Sequence, residues 1–352
     1  MSKALTLTPG TPSGLSWNGQ PLEVWGVRVA SAAVTDRWTD ALIGQLDTYR
    51  QYGINALTVF YQGSSGGALP GFSPDGREID PSVQARMVRI VQEAAARQMI
   101  VVAGIFYQAA EIQPGTDEPR WLQSRDAYLR ATQEVARRLA PFENVIVNVA
   151  NEHNSGRYET CPFPIREPDG IAELCVAVKQ IDPHRLVGSG GIHPGRNEEL
   201  AVRPELDILL FDNTAATYSQ AAVEAYRATG STKPMMNVEV FGASAAGYVE
   251  LDESPLPLPG TGPLGYAHSP ASPTRGEGEQ SSPLLSWPGW KGHVRNEAPP
   301  GKRRLQGVFP QGEMEGKHRG KLDFLREIEY AANTPGFSLF GHFPGWYQGP
   351  SR

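Results

Sequence analysis

Short runs of apolar residues recur along the chain, and a polar loop and an amphipathic segment follow nearly every run. The runs are rich in Val, Ile and Leu, as is typical of strands that are buried on both faces. Eight such runs occupy residues 22–30, 54–61, 99–107, 144–150, 185–191, 206–213, 234–240 and 337–343. The pattern predicts eight strands that alternate with helices.

The amphipathic segments carry the spacing and the boundary signals of helices. In the first of them, Trp38, Leu42, Leu46 and Tyr49 recur at the helical period, and Gly53 suits the C-terminal cap. Further helices are predicted from the N-cap residue Asp80 onward, near 122–139, 169–181, 197–202 and 218–228, and directly before the last strand.

This alternation of strands and helices predicts the fold. Strands joined through helices pair in parallel by right-handed crossovers. Eight such units predict an α/β protein with a closed (β/α)8 TIM barrel, in which residues 1–352 form a single domain. A doubly wound open sheet is the alternative, but no Gly-rich phosphate loop follows the first strand.

Two segments depart from a regular barrel. Residues 252–304, between strand seven and its helix, are dense in Pro, Gly and Ser and lack apolar periodicity, which predicts a disordered insert. A substrate lid carrying Trp287 and Trp290 is the alternative interpretation. Residues 345–352 leave no room for an eighth helix, so the barrel is expected to lack its last helix.

Composition narrows the classes of function. The chain has 352 residues, of which 40% are hydrophobic and 20% charged, as is ordinary for a soluble globular protein. The net charge is −6 and acidic and basic residues interleave, so no nucleic-acid partner is expected. No run reaches the ~18 apolar residues of a membrane span and the amino terminus carries no export signal, so we expect a cytoplasmic protein without a membrane partner.

The distribution of metal-binding residue types predicts neither a metal nor a cofactor. The two cysteines, Cys161 and Cys175, have no CxxC spacing and no neighbouring His cluster. His, Asp and Glu are scattered along the chain and form no HExxH motif.

Two carboxylates stand out against their apolar surroundings. Glu152 follows the fourth strand directly after Asn151, and Glu239 lies inside the seventh strand. Each alone is compatible with a structural salt bridge or a solvated loop residue. In a TIM barrel, however, the C-terminal ends of the strands form the active site, and a carboxylate buried there without a partner is costly. The two glutamates therefore indicate a functional pair.

These motifs resemble those of the cellulase-like glycoside hydrolases of clan A. Within that clan, the predicted barrel is similar to that of glycoside hydrolase family 5. The resemblance extends from about Trp25 to Trp346 without the insert. It rests on Asn151-Glu152 after an apolar strand, on Glu239 followed by Phe241-Gly242, on the passage "IDPHRLVGSGG" into strand five and on Trp346 after strand eight.

The resemblance implies a retaining glycosidase that cleaves β-linked oligo- or polysaccharides. It assigns the acid/base role to Glu152, the nucleophile role to Glu239 and a contact with the sugar 2-hydroxyl to Asn151. Such enzymes hold their two carboxyl groups about 5 to 5.5 Å apart. Because they also lie near strand ends, five further residues are candidates for sugar binding, namely Tyr61, Tyr107, His153, His193 and Trp346.

The chain also departs from the family's pattern. Many relatives carry an arginine near the end of strand two, where this chain reads "TVFYQ". Arg28 on strand one is a candidate substitute, and an ordinary salt bridge is an equal alternative for it. Strand six ends in "LLFDN" where relatives have His-x-Tyr, which leaves Asp212, Asn213 and Tyr218 as candidates for that role.

These departures keep other functions open. A non-catalytic carbohydrate-binding barrel is the principal alternative, since it needs the cleft aromatics but not both glutamates. An aldolase-like barrel is disfavoured because no lysine lies inside a predicted strand to form a Schiff base.

Overall fold

The barrel predicted from the alternating pattern is present. The computed structural model describes residues 5–63, 69–107, 122–213, 218–240 and 321–341, of which 213 and 321–326 are described by their backbone alone. Eight parallel strands close into one barrel, and helices connect them, which confirms the (β/α)8 fold. The predicted insert at 252–304 and the predicted absence of a last helix concern residues outside these ranges.

The strands follow one another around the barrel in chain order. Three short strands come first, β1 (Leu5–Leu7), β2 (Leu15–Trp17) and β3 (Gln20–Leu22). The barrel consists of β4 (Trp25–Arg28), β5 (Ala56–Phe60), β6 (Ile100–Phe106), β7 (Val145–Ala150), β8 (Leu186–Ser189), β9 (Ile208–Asn213), β10 (Met235–Val240) and β11 (Phe337–Gly341). Pairing of β11 with β4 closes it.

The helices also occur where the sequence predicts them. They are α1 (Asp36–Gln51), α2 (Pro81–Ala96), α3 (Arg125–Leu139), α4 (Pro168–Ile181), α5 (Asn197–Ala201), α6 (Ser219–Ala228) and α7 (Lys321–Ala332). Asp80 caps α2, as predicted, because its carboxylate accepts hydrogen bonds from the backbone N–H groups of Ser82 and Val83. None of the described helices combines the length and apolar character needed to traverse a lipid bilayer.

The barrel wall separates two apolar clusters. Alternate residues of each strand face opposite sides, so Ile146 of β7 joins an inner cluster while Val145 and Val147 join an outer one beneath the helices. The predicted face of α1 packs against the same outer cluster. Strands buried on both faces explain the continuous apolar runs in the sequence.

The antiparallel sheet formed by β1, β2 and β3 was not predicted. Its central hairpin turns at Asn18 and Gly19, which adopt φ of +49° and +77°, the left-handed conformation that a tight two-residue turn requires. Leu5 and Leu15 are buried in the inner cluster together with Ile208 and other barrel residues. The small sheet therefore covers one end of the barrel interior and leaves the opposite, C-terminal end for the site.

Candidate active site

Glu152 lies in the turn that follows strand β7. The backbone N–H of Asn151 still donates to the carbonyl of Phe106 at 2.9 Å, so the sheet extends one residue beyond the strand. Glu152 then adopts φ +46°, a left-handed conformation that is uncommon for residues other than glycine. The hydroxyl of Tyr158 donates to the carbonyl of Asn151 at 3.0 Å and fixes the turn. Such local strain is often found at functional sites.

A β-bulge in β10 turns Glu239 into the barrel. Met236 and Val238 belong to the inner cluster, whereas Met235 and Val240 belong to the outer one. Glu239 follows Val238 directly, so regular alternation would direct its side chain toward the helices. The pairing of β10 with both neighbouring strands is irregular at this point, and Glu239 instead contacts groups at the barrel mouth.

Arg28 of β4 joins the two halves of the site. Its guanidinium lies 3.0 Å from the Glu239 carboxylate, and both side chains are fully buried. It also donates to Oδ1 of Asn151 at 2.9 Å. The guanidinium lies 5.3 Å from the ring centre of Phe60 and 5.7 Å from that of Tyr107, at cation–π distances. Arg28, the candidate substitute for the strand-two arginine of the relatives, thus forms an ion pair with Glu239.

Asp212 brings a third carboxyl group into the site. Asp212 lies near the end of β9. One carboxylate oxygen each of Asp212, Glu152 and Glu239 lies within 4.8 Å of the other two. No amide, guanidinium or hydroxyl group among the described residues donates a hydrogen bond to either Asp212 oxygen. Among the candidates for the strand-six role, Asp212 reaches the glutamates, whereas Tyr218 is the exposed N-cap residue of α6.

Burial controls the protonation of these carboxyl groups. It raises the pKa of Glu152, although the positive charges of Arg28 and Arg157 oppose the rise. It also raises the pKa of Asp212 well above its ordinary value, and the negative charges of Glu239 and Glu152 raise it further. Glu152 and Asp212 are close enough to hydrogen-bond, which two ionised carboxylates cannot do. The pair therefore retains a proton at pH values where ordinary carboxyl groups have lost theirs.

Among the described residues, Glu152, Asp212 and Glu239 have carboxylate oxygens close enough to one another to coordinate a metal ion. Three oxygens from acidic side chains suit a divalent cation. However, the buried guanidinium of Arg28 already contacts Glu239 and supplies positive charge at this point. The local electrostatics therefore favour an ion pair with a shared proton over a bound cation.

Tyr107 is the predicted aromatic residue that joins this cluster. Its hydroxyl lies 3.4 Å from Nη2 of Arg28, and its ring packs edge-on against Phe60 at 5.2 Å. Burial raises the pKa of the Tyr107 hydroxyl, so it stays protonated and can donate a hydrogen bond. Trp346, the other strong aromatic candidate, lies outside the described residues.

Tyr61 does not face the cluster, contrary to the prediction that it lines the cleft. Its hydroxyl donates to Gln84 of α2 at 3.2 Å, and its ring packs 6.1 Å from that of Phe72. The reason is the two-residue period of a strand: Phe60 faces inward toward Arg28, so Tyr61 faces the helices.

The two candidate histidines also point away from the carboxylates. His153 is fully buried beside Asn197 at the start of α5, and burial lowers its pKa to about 4, so it is neutral near pH 7. The Nδ1 atom of His193 lies 2.6 Å from the hydroxyl of Tyr226 in α6. Of the predicted substrate-binding residues, the structure brings Asn151 and Tyr107 to the glutamates, and not Tyr61, His153 or His193.

Sequence reasoning did not single out two residues that shape the site. The ring of Phe60 packs at a cation–π distance from the guanidinium of Arg28, and Oδ1 of Asn237 accepts a hydrogen bond from the backbone N–H of Glu239. Asn237 carried a detectable signal, since it is a polar residue within the apolar run "MMNVEV" and two positions before Glu239. Phe60 carried none, because an aromatic residue in a buried strand is ordinary.

Comparison with known proteins supports the fold. No protein-family model matches the chain, and neither does any curated protein. Among solved structures, a candidate glycoside hydrolase from Bacteroides vulgatus ATCC 8482 superposes with a TM-score of 0.51 at 16% identity, covering 67% of this chain and 48% of that one. The exo-β-1,4-mannosidase Op5Man5 from Opitutaceae bacterium strain TAV5 gives a TM-score of 0.50 at 13% identity, covering 70% and 49%.

The chain thus spans about half the length of these two structures. The resemblance noted in the sequence is confirmed at the level of the barrel fold.

Proposed function

We propose that this protein is a retaining glycoside hydrolase that cleaves β-glycosidic bonds of an oligo- or polysaccharide. The observation that carries the proposal is the approach of Glu152 and Glu239 to within 4.8 Å at the mouth of the barrel. Retaining enzymes hold their carboxyl groups about 5 to 5.5 Å apart, whereas inverting enzymes leave about 6.5 to 9.5 Å for a water molecule. The short separation therefore favours double displacement.

The surroundings of the two glutamates assign their roles. Glu239 contacts Arg28, and a nearby positive charge favours the ionised form that a nucleophile needs. Burial raises the pKa of Glu152, which suits a general acid. In the first step, Glu239 bonds to the anomeric carbon while the glycosidic bond breaks and Glu152 protonates the leaving oxygen. In the second step, water attacks that carbon, gives its proton to Glu152 and releases Glu239.

The net charge of the site, Asp212 included, stays constant through this cycle. Before cleavage, Glu239 and the Glu152–Asp212 pair each carry one negative charge beside Arg28. After the first step, Glu239 is a neutral ester and the pair has lost its proton, so the net charge of the four groups is unchanged. A buried site gains from this constancy because desolvated charge is costly. Because Asp212 lies close enough to Glu152 to hydrogen-bond with it, we assign Asp212 the role of proton partner to Glu152.

The first substrates to test are β-1,4-linked mannosides and glucans. Op5Man5, whose barrel is similar to this one, is an exo-β-1,4-mannosidase, so β-mannosides are the first substrates to assay. Tyr107 and Asn151 would contact the sugar beside the glutamates, since both lie against Arg28 at the barrel mouth.

The test is a substrate screen with matched variants. Purified full-length chain is assayed against aryl β-glycosides, β-mannans and β-glucans, together with Glu239→Gln and a control, Glu199→Gln, which removes a surface ion pair with Arg196. Hydrolysis that survives in the control and is lost in Glu239→Gln supports the enzyme. Saturable binding of an oligosaccharide without hydrolysis by the unmodified chain would instead identify a non-catalytic carbohydrate-binding barrel.

A further inference from the structure

Asn237 binds the backbone of the proposed nucleophile. Its Oδ1 accepts a hydrogen bond from the N–H of Glu239 at 3.2 Å, and its Nδ2 donates to Oγ of Ser219 at 2.9 Å. Both Asn237 and Ser219 are fully buried. A single amide thus links the strand that carries Glu239 to the start of α6.

The bulge in β10 explains why such a link is needed. Between Asn237 and Glu239, strand β10 advances two residues while its neighbour β9 advances one, from Phe211 to Asp212. An extra residue of this kind disrupts the ladder of backbone hydrogen bonds. In β10, the N–H of Glu239 is bound by the Asn237 side chain. Asn237 therefore replaces a ladder contact at the point where the chain turns the nucleophile inward.

The amide is itself anchored in the helical layer. The N–H of Ser219 donates to both carboxylate oxygens of Glu327 in α7, at 3.0 and 3.2 Å. Glu327 is also buried. Hydrogen bonds therefore run from Glu239 through Asn237 and Ser219 to Glu327. They connect β10 to the helix that precedes it and to the helix that follows it.

We propose that Asn237 is a positioning residue that holds the β10 bulge so that Glu239 faces Arg28. An apolar residue at this position would leave the Glu239 N–H and the Ser219 hydroxyl without this partner in a buried region, and regular strand geometry would become competitive. Regular geometry turns Glu239 toward the helices and away from Arg28. The kinetic consequence of the proposal rests on the proposed glycosidase function, but its structural consequence does not.

The test compares Asn237→Ala with a control at another buried asparagine. Asn144→Ala is the matched control, because Asn144 is buried directly before β7, at the opposite end of that strand from Glu152, and donates to the carbonyls of Val91 and Met99. Misplacing a reacting group by about 1 Å can cost about 100-fold in rate. We expect kcat of Asn237→Ala to fall about 100-fold with KM changed less than about threefold, whereas Asn144→Ala loses stability and retains kcat. Equal kcat values for the unmodified chain and Asn237→Ala would overturn the proposal.

A crystal structure of Asn237→Ala provides a readout that does not depend on activity. We expect the separation of Arg28 Nη2 and Glu239 Oε2 to increase from 3.0 Å to beyond 4 Å. A retained ion pair at 3.0 Å would overturn the positioning role even if the chain hydrolysed no glycoside. If Asn237→Ala does not fold, Ser219→Ala removes the anchor of the amide and is tested in the same way, with a smaller loss of kcat expected. Unchanged kcat and an unchanged ion pair in Ser219→Ala would likewise count against the proposal.

Discussion

The guanidinium of Arg28 lies 3.0 Å from the carboxylate of Glu239, and neither side chain is exposed to solvent. The two residues come from the first and seventh strands of the barrel, β4 and β10, which are separated by β11 alone. A buried ion pair needs further partners, and Arg28 finds them in Asn151 and in the rings of Phe60 and Tyr107. The pair thus links the turn that carries Glu152 to the strand that carries Glu239.

Removing Arg28 should destabilise the protein more than removing a surface arginine. Arg28→Met leaves the buried carboxylate of Glu239 without its cation, and breaking such a pair costs about 3–5 kcal/mol. Arg89→Met is the control, because Arg89 pairs with Asp40 at the surface, and its loss should cost less than about 1 kcal/mol. Urea unfolding measures both. The double variant Arg28→Met/Glu239→Leu should recover most of the loss, and failure to recover any of it would contradict this explanation.

Most of the fold could be predicted because the strands are buried on both faces. That burial makes each strand a continuous apolar run, and the helices between them bury a single stripe. The three-residue strands of the N-terminal sheet are too short to show either period. Their one clear signal was the Asn18-Gly19 turn.

The site was predicted less completely, for two physical reasons. Tyr61 was expected in the cleft because it ends a strand, but the alternation of side chains directs Phe60 inward instead. Glu239 shows the converse case, since a bulge breaks that alternation and turns it inward. A bulge depends on contacts between distant segments, here Asn237 with Ser219, and local sequence patterns do not report such contacts.

The ring of Phe60 occupies the space that a side chain at position 104 would fill, so its packing requires Gly104. Any Cβ added to Gly104 would overlap the Phe60 ring, whereas one added to Gly44 on the exposed face of α1 would meet nothing. We expect Gly104→Ala to destabilise by about 1–3 kcal/mol through overpacking and to lower activity by displacing Phe60 from Arg28. Gly44→Ala should instead stabilise α1 by up to about 1 kcal/mol. Thermal unfolding compares the two, and equal effects would refute the close packing of Phe60.

Asp212→Asn should shift the pH dependence of activity. Burial raises the pKa of Asp212 well above its ordinary value, and repulsion from the negative charges of Glu239 and Glu152 raises it further, so the Glu152–Asp212 pair loses its last proton at higher pH than Glu152 alone would. Replacing Asp212 with a neutral amide removes that repulsion, while Arg28, Arg157 and Glu239 still surround Glu152. The basic limb of the kcat/KM profile should therefore move to lower pH. A basic limb that stays in place or moves to higher pH would show that Asp212 does not share the proton.

The buried His153 should make stability depend on pH. Its pKa is about 4 in the folded chain, below the ordinary value of 6.5, so the unfolded chain binds more protons between these two pH values. Its contribution to stability is therefore present above pH 6.5 and is lost as the pH falls toward 4. His153→Gln should reduce this slope by up to about 1.4 kcal/mol per pH unit, as measured by urea unfolding across the range. An unchanged slope would contradict burial of a neutral imidazole.

The most direct test of the proposed mechanism is the product that Glu152→Ala forms in the presence of azide. This variant lacks the acid/base but keeps Glu239, so substrates with very good leaving groups should still form the glycosyl-enzyme. Azide can then attack the intermediate without a base. We predict faster turnover and a β-glycosyl azide, identified by NMR, because two displacements at the anomeric carbon retain its configuration. An α-glycosyl azide, or faster turnover of Glu239→Ala in place of Glu152→Ala, would contradict the assignment of Glu239 as the nucleophile and Glu152 as the acid/base.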